Sequence, residues 1–406
     1  MKTVSSFGLT RFASVLLLAA PGRPLRADTD CLSCHGDPTL QDTNGKSIGV
    51  SADKFHASIH GSLKCSDCHK DIHDYPHPDH PAAVQCETCH ADEASAIAGS
   101  IHAKASTSVP GATGWKAHPC TGCHGNAHEI VTKTDPNSTV YPLNIPKTCG
   151  GCHGDPAMAK KFHLPNVYAL YIDSIHGFAL GKEGLLVAAN CTSCHGSHKI
   201  LSHTDPQSST YRTNIPRTCG SCHVGINEQY QQGVHGKAVT AGNASAPVCT
   251  DCHTAHGIVE PTSADFRMQS TPICGSCHRD KFSTYRDTFH SQLGLLGGYT
   301  ETARCWDCHR AHEVLPASDP NSPVNKANLI ATCGRCHAGA NASFVQYQPH
   351  ANARNRKLNP ALYYIRLFMN LLLTSVLTFF LLHTALWLIR SRFQQAKSKS
   401  PGGKNA

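Results

Sequence analysis

The residues of this sequence whose spacing could do chemistry are its cysteines and the histidines that follow them. All 22 cysteines lie in eleven Cys-x-x-Cys-His signatures. Two thiols at this spacing can form thioethers with the vinyl groups of a porphyrin while the adjacent histidine binds the iron, which is how a c-type haem is attached. The sequence therefore predicts eleven covalently bound haem c groups, held by Cys31 and Cys34, Cys65 and Cys68, Cys86 and Cys89, Cys120 and Cys123, Cys149 and Cys152, Cys191 and Cys194, Cys219 and Cys222, Cys249 and Cys252, Cys274 and Cys277, Cys305 and Cys308, and Cys333 and Cys336.

The same signatures supply one axial ligand for each iron. The predicted proximal ligands are His35, His69, His90, His124, His153, His195, His223, His253, His278, His309 and His337. Zinc sites also use Cys-x-x-Cys pairs, but zinc does not require a histidine directly after every second cysteine. A disulfide framework would not fix this spacing either, so the pattern favours haem over both alternatives.

An internal repeat follows the solitary signature at Cys31. Each of its five copies begins with an opening histidine, as in the stretch SIHGF, and continues with a first signature and a second histidine soon after it. A closing signature, usually TCGxCH, ends the copy, and several copies carry a DP turn and an NIP-like stretch before it. An internal repeat means that one supersecondary unit recurs along the chain.

The histidines at fixed positions of this repeat equal the predicted irons in number. Five opening histidines, five second histidines and His350, which begins a truncated sixth copy, make eleven candidates for the distal ligand. This predicted set is His60, His73, His102, His128, His176, His198, His235, His256, His290, His312 and His350. In the first repeat His73, His77 and His80 compete for one role. We interpret His56, His77, His80, His118, His163 and His203 as surface histidines outside the pattern.

Helix geometry indicates which iron a distal histidine does not serve. An opening histidine often follows the previous proximal histidine by twelve residues, as His102 follows His90. In a helix that separation is about 18 Å, whereas two imidazole nitrogens on one iron lie about 4 Å apart. We therefore expect crossed ligation between neighbouring haems, with the pairing left open.

Haem binding also determines the expected fold. About 30 residues serve each haem, which is too few for an ordinary apolar core. We expect residues 28–356 to form one eleven-haem domain of short α-helices and long loops wrapped around stacked haems, with little β-structure.

The two ends of the chain predict export and a membrane anchor. Residues 1–27 combine positive charge with a short apolar run and are interpreted as a cleaved signal peptide. Residues 360–390 include the stretch 367–389, which has no charged residue and is long enough to cross a bilayer. The basic tail, residues 391–406, favours a cytoplasmic C-terminus. The haem domain is then expected in the periplasm of a bacterium, on the inner membrane.

The formal charge of +8 does not indicate nucleic-acid binding. Each ferric haem with its two propionates adds about one negative charge, so the oxidised holoprotein would carry about −3. No arginine-rich stripe interleaved with aromatic residues accompanies the charge, and we expect no nucleic-acid partner.

The chain resembles the multihaem c-type cytochromes with doubled Cys-x-x-Cys-His repeats, over roughly residues 31–350. The resemblance implies an electron conduit rather than an enzyme, working beside an integral, quinone-reactive membrane subunit and periplasmic redox proteins. Related quinol-oxidising cytochromes usually carry an N-terminal anchor, whereas here the apolar segment is C-terminal. A b-type cytochrome is therefore the expected electron donor.

The scarcity of methionine favours irons with two axial histidines and a low reduction potential. The exported part contains only two methionines, Met158 and Met268, and neither lies in a repeat motif. Histidine in place of methionine lowers the haem potential, and an iron with two axial histidines has no open position for a substrate. The alternative is a redox enzyme resembling the octahaem nitrite reductases or hydroxylamine oxidoreductases, which expose one haem iron.

Overall fold

The computed structural model describes residues 29–73, 77, 80–106, 119–163 and 165–398. The predicted signal peptide, His118 and the end of the basic tail lie outside these residues.

Short helices joined by loops make up the described part of the chain, as the sequence predicts. No β-strand occurs within those ranges, and one isolated antiparallel bridge joins Gln41 to Ser47. The α-helices, in chain order, are α1 Thr29–His35, α2 Ala52–Ala57, α3 Cys65–Cys68, α4 Ala91–Ala98, α5 Ile101–Ser106, α6 Thr121–His124, α7 Ile145–His153, α8 Pro156–Phe162, α9 Val167–Ile172, α10 Ile175–Gly181, α11 Cys191–His195, α12 Ile215–Gly220, α13 Val224–Gln232, α14 Val234–Thr240, α15 Cys249–His253, α16 Ala264–Cys277, α17 Arg279–Tyr285, α18 Phe289–Leu295, α19 Cys305–His309, α20 Leu329–Gly334 and α21 Pro360–Ser398. Short 3₁₀ turns lie at Cys86–Thr88, Ala127–Glu129, Arg212–Asn214, Lys326–Asn328 and Phe344–Gln346.

The chain forms two compact units. The first comprises the described residues up to Tyr168 together with Glu183–Leu201. The second comprises Ala169–Lys182 and the chain from Ser202 onward. The division falls within the third repeat, so repeats one and two lie in the first unit and repeats four and five in the second.

The apolar core made by side chains is small. In the second unit Tyr230, Val239, Ala246 and Val248 form one buried cluster. Among the described residues only eight apolar side chains are buried, far fewer than a soluble chain of this length needs for stability. A bound apolar group must therefore supply much of the interior, as the signatures predict.

The turn before the closing signature is a hydrogen-bonded structure in the second, third and fifth repeats. In the second repeat the Asn144 amide donates to the carbonyls of Pro136 and Ser138, and the Thr148 hydroxyl donates to the carbonyl of Thr139. Pro146 lies in the first turn of α7, where a missing N–H costs nothing. The bonds of Asn214 and Thr218 and of Asn328 and Thr332 repeat this arrangement. The DP and NIP motifs thus hold the helix that carries the closing signature.

The last helix, α21, is long and apolar enough to cross a membrane. Most of its large apolar side chains are exposed, including Leu371, Phe379 and Leu381. This exposure suits a helix whose surroundings are lipid, and it makes α21 a candidate anchor.

Candidate metal centres

Short helices position the cysteines and the proximal histidine of a signature. In α11, α15 and α19 the first cysteine and the histidine lie four residues apart, on one face and one turn from each other. Asp251 and Asp307 strengthen two of these helices, since each carboxylate accepts a hydrogen bond from the backbone N–H three residues earlier. The chain then turns sharply, because Thr254 and Arg310, which follow the proximal histidines, have φ near 63°.

Ten of the described proximal histidines face a second histidine ring within their own compact unit. In the first unit the pairs are His35 with His77, His60 with His90, His69 with His128, His102 with His153, and His124 with His198. In the second unit they are His176 with His223, His235 with His278, His253 with His312, His290 with His337, and His309 with His350.

The ring separations in these ten pairs fall between 5.8 and 6.3 Å. An iron midway between two imidazoles would set the ring centres about 6 Å apart, from two Fe–N bonds of about 2.0 Å, a length taken as similar to Zn–N, and about 1.1 Å from each nitrogen to its ring centre. The spacing therefore fits one iron per pair, and the cysteines beside each proximal histidine fit the porphyrin that would hold it.

Nine of the ten pairs follow one register, and the exception is His309, which faces the opening histidine His350. The histidine of a closing signature faces the opening histidine of its own repeat, as His153 faces His102. The histidine of a first signature faces the second histidine of the next repeat, as His124 faces His198. This arrangement is the crossed ligation expected from helix geometry, because His102 does not face His90, which precedes it by twelve residues.

Backbone hydrogen bonds hold the two kinds of distal histidine side by side. The N–H of Ile59, just before His60, donates to the carbonyl of Ile130, two residues after His128, at 2.8 Å. The same bond, at the same length, joins Ile101 to Ile200, Ile175 to Ile258, and Val234 to Val314. The opening segments of the first four repeats are therefore each bonded to the second-histidine segment of the following repeat.

In the first repeat the ring that faces His35 is that of His77, a surface histidine in our interpretation of the sequence; the two rings lie 5.8 Å apart and nearly parallel. His73, the predicted ligand, is exposed. The second histidine of this repeat must reach back to a solitary signature rather than to a preceding repeat, so its spacing differs from the other copies. His195 and His256 remain the proximal and distal candidates that these ten pairs do not include, and their role stays a prediction of the repeat.

Burial favours the neutral form of twelve of the paired histidines. It lowers the pKa of His69, His102, His124, His128, His153, His176, His235, His253, His290, His309, His312 and His350. A neutral imidazole is the form that binds a metal, so burial favours coordination.

Opening helices are capped by the residue that begins their motif. The Ser174 hydroxyl accepts a hydrogen bond from the N–H of Gly177 at 3.1 Å and donates to the carbonyl of Tyr171. Ser100 and Thr288 cap their segments in the same way. The sequence motif showed a recurring serine, but its capping role becomes clear only from the structure.

Cysteines of consecutive signatures are neighbours. A hydrogen bond to the Cys191 thiol raises the pKa of Cys149, and equivalent bonds raise the pKa of Cys219, beside Cys249, and of Cys274, beside Cys305. Burial and then the Cys86 thiol raise the pKa of Cys120. In each case the first cysteine of a closing signature meets the first cysteine of the next repeat.

A second set of contacts lies within the repeats. Burial and then the adjacent Cys274 raise the pKa of Cys252 to about 11. In the same way, burial and then the nearby cysteine raise the pKa of Cys123, beside Cys149, and of Cys308, beside Cys333. Within each compact unit the signatures thus follow one another in space in the order of the sequence.

Comparisons with known proteins agree with this site. The family model described as the doubled CXXCH motif matches residues 237–282. The multiheme cytochrome MtrA of Shewanella baltica (strain OS185) is 25% identical over 174 residues, which cover 40% of this chain and 46% of that protein. The chain thus matches a little under half the length of this curated relative. No solved structure matched the chain.

Covalent haem attachment follows from the signatures, and an electron-transfer role follows from the haems. The matched residues contain the first and the closing signature of the fourth repeat, an arrangement that recurs through the chain. Together with the eleven signatures, these matches support a multihaem c-type cytochrome.

Proposed function

We propose that this cytochrome is a membrane-anchored relay that carries electrons between an integral, quinone-linked partner and periplasmic acceptors. It would hold eleven haem c groups, each iron coordinated by two histidines. Its own role would be electron transfer, and any chemistry on a substrate would belong to its partners. The observation that carries the proposal is the series of ten histidine pairs with one common spacing.

The order of the signatures supports a conducting line of haems within each compact unit. Each thioether sulfur would be bonded to the edge of its porphyrin. Cysteines in contact, such as Cys149 and Cys191 or Cys274 and Cys305, would therefore bring two porphyrin edges together. Because these contacts join consecutive signatures, electrons would pass from one haem to the next in sequence order within each unit.

Bis-histidine ligation supports a relay rather than catalysis at iron. Two axial histidines saturate the metal and give a low potential, and the protein then contributes spacing and electrostatics. His77 completes the ligand set of the solitary signature, which would otherwise be the natural place for an open iron.

Candidate anchor α21 supports a location on the inner membrane. The stretch Leu367–Ile389 has no charged residue, and Arg390 and Arg392 follow it directly. The basic tail favours a cytoplasmic C-terminus, with the haems on the opposite side. Residues 28–356 would then be the periplasmic haem domain, preceded by the signal peptide over residues 1–27.

The proposal is tested with membranes that contain the full chain, supplied with a quinol. We expect haem reduction, followed by absorbance, only when the integral partner is also present. The purified chain in proteoliposomes, given the same quinol, is the control and should stay oxidised, yet accept electrons from dithionite. Rapid reduction of the purified chain by quinol would overturn the need for a separate partner. No reduction in complete membranes would overturn the relay itself.

A further inference from the structure

An exposed apolar stripe on α18 distinguishes the fifth repeat from the others. Phe289, Leu293 and Leu296 are 80%, 48% and 85% exposed. They are spaced four and three residues apart, so they share one face of the helix. The buried residues of this helix, Ser291 and Gly294, lie on its opposite face. The stripe therefore lies on the face of α18 opposite to the one that packs against neighbouring protein residues.

The stripe is not a general property of opening helices. Counted from the opening histidine, the position of Leu296 is occupied by Ser66, Ser108, Lys182 and Ala241 in the other repeats. The position of Phe289 is apolar in every repeat, but the residues there in the other four repeats are only 36% to 48% exposed, namely Ile59, Ile101, Ile175 and Val234. Exposed apolar residues grouped on one face commonly mark a contact surface.

Two side-chain contacts tie this part of the protein to the segment that leads into α21. The Arg354 guanidinium forms a bidentate ion pair with the Asp287 carboxylate, at 2.8 and 3.2 Å. The Thr284 hydroxyl lies 3.1 Å from Nδ1 of His350. Asp287 is two residues before Phe289, so the stripe begins next to these contacts.

The same segment folds back on itself before the membrane helix begins. The Asn359 side chain accepts a hydrogen bond from the N–H of Asn352 at 2.9 Å. The first residue of α21, Pro360, is consequently held beside Asn352 rather than at the end of an extended linker. The fifth repeat is therefore held close to the point where α21 would enter a bilayer.

Charge and aromatic residues around this point suit a lipid surface. Arg356 and Lys357 are exposed and immediately precede α21, and Arg366 lies in its first turns. Tyr363 and Tyr364 accompany them, as is typical of the interface between lipid and water. Basic residues beside an apolar stripe are the combination that binds anionic bilayers.

We propose that Phe289, Leu293 and Leu296 insert into the lipid leaflet on the haem side of the membrane. The stripe would fix the orientation of the fifth repeat on the bilayer. Its two iron sites, those of His309 with His350 and of His337 with His290, would then be the ones nearest the membrane partner. This inference rests on the proposed anchoring by α21.

The test is photo-crosslinking in the full-length holoprotein, reconstituted in vesicles of phosphatidylethanolamine and phosphatidylglycerol. A benzophenone amino acid replaces Leu296 in one variant, Leu377 within α21 in a second and exposed Val224 in a third. Mass spectrometry measures the lipid adducts after irradiation. We expect lipid adducts at positions 296 and 377 in similar yield, and a much lower yield at position 224.

Each other outcome has a distinct meaning. Lipid adducts at position 377 but not at 296 would overturn the stripe while leaving the anchor in place. Absence of lipid adducts at position 377 would overturn the anchor and this inference with it. Adducts at position 296 only to protein, or a yield at position 224 equal to that at 296, would also overturn a lipid contact. The double variant with Phe289→Ser and Leu296→Ser provides an independent check. On vesicles, α18 of this variant should be less protected from hydrogen exchange than α18 of the original protein. Unchanged protection would contradict the proposal.

Discussion

At the residue scale, the proposed haem ligation depends on the distal histidines. Ten of the proximal rings have a partner at a separation that suits an iron between them. The repeat predicted most of these partners because it fixes each histidine relative to a signature. It did not predict His77, because the first repeat holds three histidines within eight residues and the sequence alone does not show which one reaches His35.

Separate alanine substitutions of His77 and His73 test which of them binds the iron of the solitary signature. His77→Ala should leave all haems attached, because thioethers hold them, but should convert one iron to the high-spin form. His73→Ala, in the same loop, should leave the electron paramagnetic resonance spectrum of the oxidised protein unchanged. A high-spin iron in the His73 variant alone would restore the original assignment.

His198 provides a second test at this scale. Its ring lies 6.1 Å from that of His124, so His198→Ala should open one coordination position and produce one high-spin iron without loss of haem mass. Exposed His203, in the same repeat, is the matched control, and His203→Ala should have no spectroscopic effect. An unchanged spectrum in the His198 variant would remove this histidine from the ligand set.

At the element scale, short helices and tight turns place the ligands. The NIP-like motif and the recurring serine were visible in the sequence, but their physical roles were not. Asn144 holds the turn before a closing signature, and Ser174 caps an opening helix. The sequence also left the haem pairing open, because pairing depends on contacts between repeats such as the bond from Ile101 to Ile200.

Loss of a helix cap should weaken one ligand segment. Ser174→Ala leaves the first turn of α10 without its cap and should lower the free energy of unfolding by about 1 kcal/mol. Ser174→Gly should cost less, because glycine is tolerated at this position and the fourth repeat has Gly233 there. Denaturant unfolding of the holoprotein, followed by helical circular dichroism, measures both. Equal stability of the alanine variant and the original protein would contradict the capping role.

At the scale of the whole molecule, the cofactor replaces the apolar core. The fold class was predictable because eleven signatures in 406 residues leave few side chains to bury. The location of the buried cluster around Tyr230 was not predictable from the sequence, because it depends on how α13 and α14 pack. The candidate anchor was predictable from its uncharged length alone, whereas the return of the preceding segment through Asn359 was not.

The number of haems is a prediction for the intact molecule. The mass of the mature holoprotein should exceed that of the polypeptide from residue 28 onward by eleven haems. Every signature is complete, so each should be filled. A smaller excess would mean that some signatures stay empty, and a heavier polypeptide would place the signal cleavage elsewhere.

The central claim is that irons lie between paired histidines in the order of the signatures. A cryo-electron microscopy map of the full-length holoprotein tests it most directly. The map should show a porphyrin between the rings of every pair, including His35 with His77 and His309 with His350, and consecutive haems should be neighbours. Porphyrins with only one axial histidine at several sites, or haems adjacent out of sequence order, would contradict it.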